Sequence, residues 1–140
     1  MVLFIVNTHN CPPQYLCNLG SVYYIDSQCN SSLVQSCSYG CSNAACLPAP
    51  APVIGAWSVR PTLVRPKDTV VVTWSVSNVT SCTVTGNNGD SWTGLSGTQT
   101  SSPILAQTIY TLHCNAYPDS ATQFTDSSIT VNIIPGFREN

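Results

Sequence analysis

Six cysteines crowd into the stretch from Cys11 to Cys46, and nothing else in the chain restricts its fold as strongly. Their spacing is C-x5-C-x11-C-x7-C-x3-C-x4-C. Structural zinc sites use paired C-x2–4-C knuckles. Cys37, Cys41 and Cys46 can supply one knuckle, but Cys11, Cys17 and Cys29 supply no matching pair. Disulfides are therefore expected, and no metal or other cofactor is. A segment this short buries too little apolar surface to fold alone, so it needs covalent staples. Six thiols allow fifteen pairings, and spacing does not choose among them. With Cys82 and Cys114 the total is eight. That many cysteines without a metal pattern place the chain in an oxidising compartment, extracellular or at a cell surface.

Charge is scarce. Only 7% of the 140 residues are Asp, Glu, Lys or Arg, against about 25% in an ordinary soluble domain. Residues 1–59 contain a single one, Asp26. Polarity comes instead from neutral side chains, with eighteen Ser and fifteen Thr among them. A net charge of −2 with four Lys and Arg excludes a nucleic-acid partner, since binding phosphate takes clustered cations. No apolar run approaches the roughly 20 residues of a membrane span. A 43% hydrophobic content with little net charge argues against disorder. A surface this poor in charge suits a subunit buried against neighbours or covered by sugar.

The chain divides at Leu47-Pro48-Ala49-Pro50-Ala51-Pro52-Val53. Proline at alternate positions favours a stiff, extended spacer. Five segments follow: a strand-like terminus over 1–9, a cysteine-rich module over 10–47, a Pro/Ala linker over 48–53, a β domain over 54–135 and a tail over 136–140. In the β domain, period-two alternation puts Val70, Val72, Trp74 and Val76 on one face. It does the same for Cys82 and Val84, for Tyr110, Leu112 and Cys114, and for Ile129, Val131 and Ile133. Gly86-Asn87-Asn88-Gly89-Asp90 reads as a turn. No segment has a helical repeat. Many short strands with frequent turns predict an all-β sandwich.

Trp57-Ser58-Val59-Arg60-Pro61, Val72-Thr73-Trp74-Ser75-Val76, Ser81-Cys82-Thr83-Val84 and Tyr110-Thr111-Leu112-His113-Cys114 resemble bacterial immunoglobulin-like repeats. Such repeats occur in large secreted or surface proteins. The resemblance covers roughly residues 54–134 and implies an immunoglobulin-like sandwich, but no particular activity. Antibody domains bridge their two sheets, with a Tyr two residues before the second Cys. Here Tyr110 lies four before Cys114, and Trp74 stands where the first Cys is expected. The resemblance thus implies that Cys82 lies one strand later and that the bond to Cys114 joins two strands of one sheet. The string Cys37 to Cys46 resembles small cysteine-rich repeats found beside such sandwiches.

Met1-Val2-Leu3-Phe4-Ile5-Val6 allows three readings: a remnant of a secretory signal, a strand within its own subunit, or an assembly strand formed by Val2, Leu3, Phe4, Ile5 and Val6 that docks into a neighbour. It lacks the cationic start and cleavage site of a leader. A disulfide-bonded chain that is secreted needs one, so the sequence is expected to be incomplete or processed at its start. An uncharged β-branched run is what strand addition uses.

No catalytic constellation is expected. His9 and His113 read as surface histidines, and no H-x-x-x-H or G-x-S-x-G occurs. Asn87 to Ser91 has oxygen ligands near a Gly but lacks the acids of a calcium loop, so it reads as a plain turn. Lys67, the only lysine, sits in an exposed Pro-Lys-Asp turn unsuited to an isopeptide cross-link. Asn30-Ser31-Ser32 and Asn78-Val79-Thr80 match the N-glycosylation pattern. Trp92, Tyr23 and Tyr24 are the candidate aromatics for a sugar ligand, although Trp92 also fits a core position. The expected function is that of a non-enzymatic, extracellular structural subunit of a surface fibre, its partner being another copy or neighbouring domains of a surface protein. The alternative is an adhesin, or a stalk repeat, recognising glycan or protein.

Overall fold

The computed structural model describes residues 10–136. The expected assembly strand Val2–Val6 and His9 lie outside the described residues. The chain separates into two compact units, residues 1–49 and 50–140. Among the described residues there is no helix, and so none long and apolar enough to cross a membrane.

In the first unit, β1 (Gln14–Asn18), β2 (Ser21–Ile25) and β3 (Ser31–Gln35) form an antiparallel sheet in the order β1-β2-β3. Leu19 and Gly20 make the β1–β2 turn with φ of 50° and 75°. Two positive φ values give a hairpin turn whose twist matches that of the strands. The β2–β3 turn is organised by Asp26, whose carboxylate accepts the N–H groups of Gln28 and Asn30, each at 2.9 Å. The Asn30 N–H leads the hydrogen bonds that hold this carboxyl below its ordinary pKa. A small ribbon follows, β4 (Cys41–Ser42) and β5 (Ala45–Cys46).

Three disulfides tie these pieces together: Cys11–Cys29, Cys17–Cys41 and Cys37–Cys46. Their Cα separations of 5.2, 5.6 and 5.2 Å fall in the ordinary range. Cys17 links β1 to β4, and Cys37 links the segment after β3 to β5. Val22 and Ala49 are the only buried apolar residues described in this unit. Cross-links therefore do what a core does elsewhere.

The second unit contains β6 (Val53–Arg60), β7 (Leu63–Val64), β8 (Val71–Ser77), β9 (Val79–Gly86), β10 (Ser91–Thr93), β11 (Ser96–Thr100), β12 (Thr108–Ala116) and β13 (Phe124–Ile133). One sheet has the order β10-β9-β12-β13-β7 and the other β11-β8-β6. All pairings are antiparallel except β13 with β7. The alternation seen in the sequence becomes the inner faces. Val72, Trp74 and Val76 of β8 meet Cys82 and Val84 of β9, Tyr110, Leu112 and Cys114 of β12, and Val131 of β13 in one buried cluster. Ile129, Ile133 and Trp57 pack against its margin. Trp57 lies on edge strand β6, and among the described residues its indole Nε1 is buried without an acceptor.

Cys82 and Cys114 sit directly opposite each other on β9 and β12 and are bonded, with Cα atoms 4.0 Å apart. The bond thus lies within one sheet. Val64 and Ile104 are also fully buried. Backbone bonds hold Ile104 there: its carbonyl accepts from Lys67 and its N–H donates to the Asp68 carbonyl, both at 2.8 Å. Lys67 itself is exposed with φ of 77°.

Candidate functional site

The most organised polar group in the second unit surrounds Asp90. The turn after β9 brings it beside β12. The Tyr110 hydroxyl donates to Asp90 Oδ2 at 2.7 Å, the Ser102 hydroxyl to Oδ1 at 2.6 Å and Asn88 Nδ2 to Oδ2 at 3.0 Å. The Ser102 N–H adds a bond at 3.1 Å. Burial opposes ionisation of Asp90, but these donors outweigh it and hold its carboxyl below the usual carboxylate range. Burial, followed by the bond to Asp90, raises the Tyr110 hydroxyl from 10.0 to about 12. The other side-chain oxygens of this turn are also taken up: Asn87 Oδ1 accepts from the Ile109 N–H and Asn88 Oδ1 from the Asp90 N–H, each at 3.1 Å. No group of three or more metal-ligating side chains occurs among the described residues.

These shifts set a pH dependence. A carboxyl depressed on folding stabilises above its unfolded value of 3.8, and that stability is lost as pH falls through the lower folded value. A raised tyrosine stabilises below 10.0 and loses that stability as pH climbs through about 12. Thermal unfolding should show a melting temperature that drops on both flanks. The Asp90→Asn variant should flatten the acid flank; an unchanged acid slope would refute the assignment to Asp90.

Trp92 does not stand free. It is half-buried between Trp74 and Tyr110, with ring centroids 6.4 and 6.1 Å away and nearly parallel planes. The Trp74 indole donates to the Gly94 carbonyl at 2.8 Å. Trp92 is thus a side wall of the core and presents only part of one ring. In the first unit, Tyr23 and Tyr24 are half-buried on opposite faces of β2. The register sets Tyr24 opposite Tyr15, their centroids 5.1 Å apart. Tyr15 is 58% exposed and makes the outward-facing aromatic surface that the sequence reading missed. The Gly20 turn was the available signal, because it fixes which β1 residue meets Tyr24.

Both glycosylation candidates use their amide nitrogens. Asn30 Nδ2 donates to Asp26 Oδ2 at 3.2 Å and Asn78 Nδ2 to the Ala51 carbonyl at 3.1 Å. Asn30 is exposed and Asn78 half-buried. His113 pairs through Nδ1 with Asp126 on the outer face of β12 and β13. Asp119 is exposed.

An open groove of about 960 Å³ runs along β6. Trp57, Val59 and Arg60 form one side, with Val71, Thr73 and Ile129 beside them. A second depression of about 580 Å³ is lined by Asn87, Ser102, Leu105 and Gln107. Compared with protein-family models, curated proteins and solved structures, the chain matches none. All eight cysteines are paired, which is consistent with an oxidising compartment.

Proposed function

We propose that this chain is an extracellular, non-enzymatic structural subunit of a surface fibre or appendage. Its N-terminal residues Val2–Val6 add as a strand to a sheet of a neighbouring copy. The observation that carries this reading is the state of the two sheets over residues 50–140. Each is open and ends in edge strands, β10 and β7 in one, β11 and β6 in the other. An open edge accepts an extended segment through backbone hydrogen bonds, and the sequence carries an uncharged apolar run of the right type. Paired cysteines and a surface almost free of ions suit a durable extracellular block.

The same unit supports an immunoglobulin-like reading. Naming β6, β8, β9, β11, β12 and β13 as A, B, C, E, F and G gives sheets A-B-E and C-F-G, which is the partition of that sandwich. The departure is the disulfide, which joins C to F.

Deleting residues 1–8 tests the fibre. Light scattering and electron microscopy should show concentration-dependent assembly by the full chain and none by the truncated one, with unchanged circular dichroism. Polymers formed by the truncated chain would sink the proposal.

One observation favours the adhesin as the second reading: the exposed Tyr15 ring lying against Tyr24, since such faces stack on sugars. A glycan array should then light up for the native chain and go dark for Tyr15→Ala; a blank array for the native chain removes this reading.

A further inference from the structure

Resting on that fibre reading, we infer that the acceptor for the incoming strand is the outer edge of β6, and that its occupant is Val2–Val6 of a second copy. The four sheet edges among residues 50–136 differ enough to decide which one is used. β7 has two residues and β10 three, too short to register a five-residue strand. β11 is Ser-Gly-Thr-Gln-Thr, with no apolar side chain to meet an apolar strand. β6 has eight residues, Val-Ile-Gly-Ala-Trp-Ser-Val-Arg, and pairs only with β8 among the described residues.

Natural edges are protected by charge, proline or a covering segment. A bulge at Gly55 interrupts the start of β6, but Ala56–Arg60 beyond it is regular and has no charge before Arg60, and Pro52 and Pro61 stand just outside the strand's ends. Val53 and Ile54 are 53% and 38% exposed, an apolar start for an edge strand. The groove gives an added strand neighbours on both faces. Trp57 and Ile129 lie on the core side, Thr73 and Val71 on the outer side.

The occupant fits that groove. Val2, Phe4 and Val6 would face one way and Leu3 and Ile5 the other, because side chains alternate along a strand. A strand apolar on both faces belongs where both faces are covered, and an edge flanked by a groove offers this. The incoming run carries no charge, so it brings nothing that the apolar edge must desolvate. Beside the groove the run would lie along Ala56–Arg60, which ends on Arg60, an exposed side chain.

Hydrogen–deuterium exchange on the full chain, below and above its assembly concentration, tests this directly, with Phe4→Asp as the variant. Amides of Val53–Arg60 should exchange at least about tenfold more slowly in the assembled sample, and Phe4→Asp should abolish both assembly and the slowing. Assembly with slowing at Ser96–Thr100 or Ser31–Gln35 instead would overturn the β6 placement and leave the fibre reading standing. Slowing at β6 in the dilute chain that Phe4→Asp removes would mean pairing within one copy, and would overturn the inference. No assembly, or assembly indifferent to Phe4→Asp, would overturn the inference and the fibre reading together.

Discussion

Full reduction and alkylation of the chain should unfold residues 10–49 and leave residues 50–136 folded. Among the described residues of the first unit, Val22 and Ala49 alone are buried apolar side chains. Leu33, Val34, Tyr15 and Leu19 are each more than half exposed. Three disulfides close loops with sequence separations of 18, 24 and 9. Each such closure is worth about 2–4 kcal/mol, chiefly by restricting the unfolded chain. The described residues of this small unit bury too little apolar surface to replace contributions of that size. The second unit loses one cross-link but keeps a continuous buried cluster from Val59 to Val131. A proton–nitrogen correlation spectrum separates the two. Amides of Gln14–Asn18, Ser21–Ile25 and Ser31–Gln35 should collapse to random-coil positions, while those of β8, β9 and β12 stay dispersed. A dispersed first unit after complete alkylation would overturn this expectation.

Replacing Gly97 by Ala should destabilise the second unit by about 1–3 kcal/mol, the range for overpacking a core. Gly97 lies opposite Trp74 in the β11–β8 register. A Cβ there would sit 2.5 Å from Trp74 Cη2 and 2.6 Å from Cζ2. The ring cannot retreat, because Trp74 is 2% exposed, bonded to the Gly94 carbonyl and stacked on Trp92. Gly55→Ala is the control, since the nearest atom to its Cβ would be the Ser75 carbonyl oxygen at 3.5 Å. It should change stability by less than about 0.5 kcal/mol. Denaturant melts measure both. In a double-mutant cycle, Trp74→Phe should relieve part of the Gly97→Ala cost, and strict additivity would show that the two side chains do not meet.

Much of the second unit was legible because its strands alternate strictly. Val72, Trp74 and Val76 can bury together only on an extended strand, and the structure buries all three. The one-sheet bond between Cys82 and Cys114 was reachable from the strand following Trp74. The pairing of the first six cysteines was not, because equal spacing arguments serve every connectivity and only the path of the backbone separates them. Ile104 and Val64 were missed for a related reason: Ile104 lies in a loop and Val64 in a two-residue strand, so neither belongs to a run long enough to show alternation. The network joining Asn88, Asp90, Ser102 and Tyr110 spans twenty-two residues of sequence and has no periodic signature. Trp92 drew notice as an aromatic next to a turn, and its place between Trp74 and Tyr110 depends on a register that local sequence does not encode.

The bond within one sheet also governs how the second unit lengthens under load. Pulled from its ends, a chain releases contour as its strands peel away. Cys82 and Cys114 are 32 positions apart and covalently joined, so the residues between them form a closed ring that tension bypasses. At about 3.3–3.6 Å per extended residue, roughly 100 Å of slack stays locked. The strands inside that ring include β10, β11 and most of β9 and β12. A tether made from such units would stretch less before it stopped yielding, and would keep a folded remnant to guide its recoil.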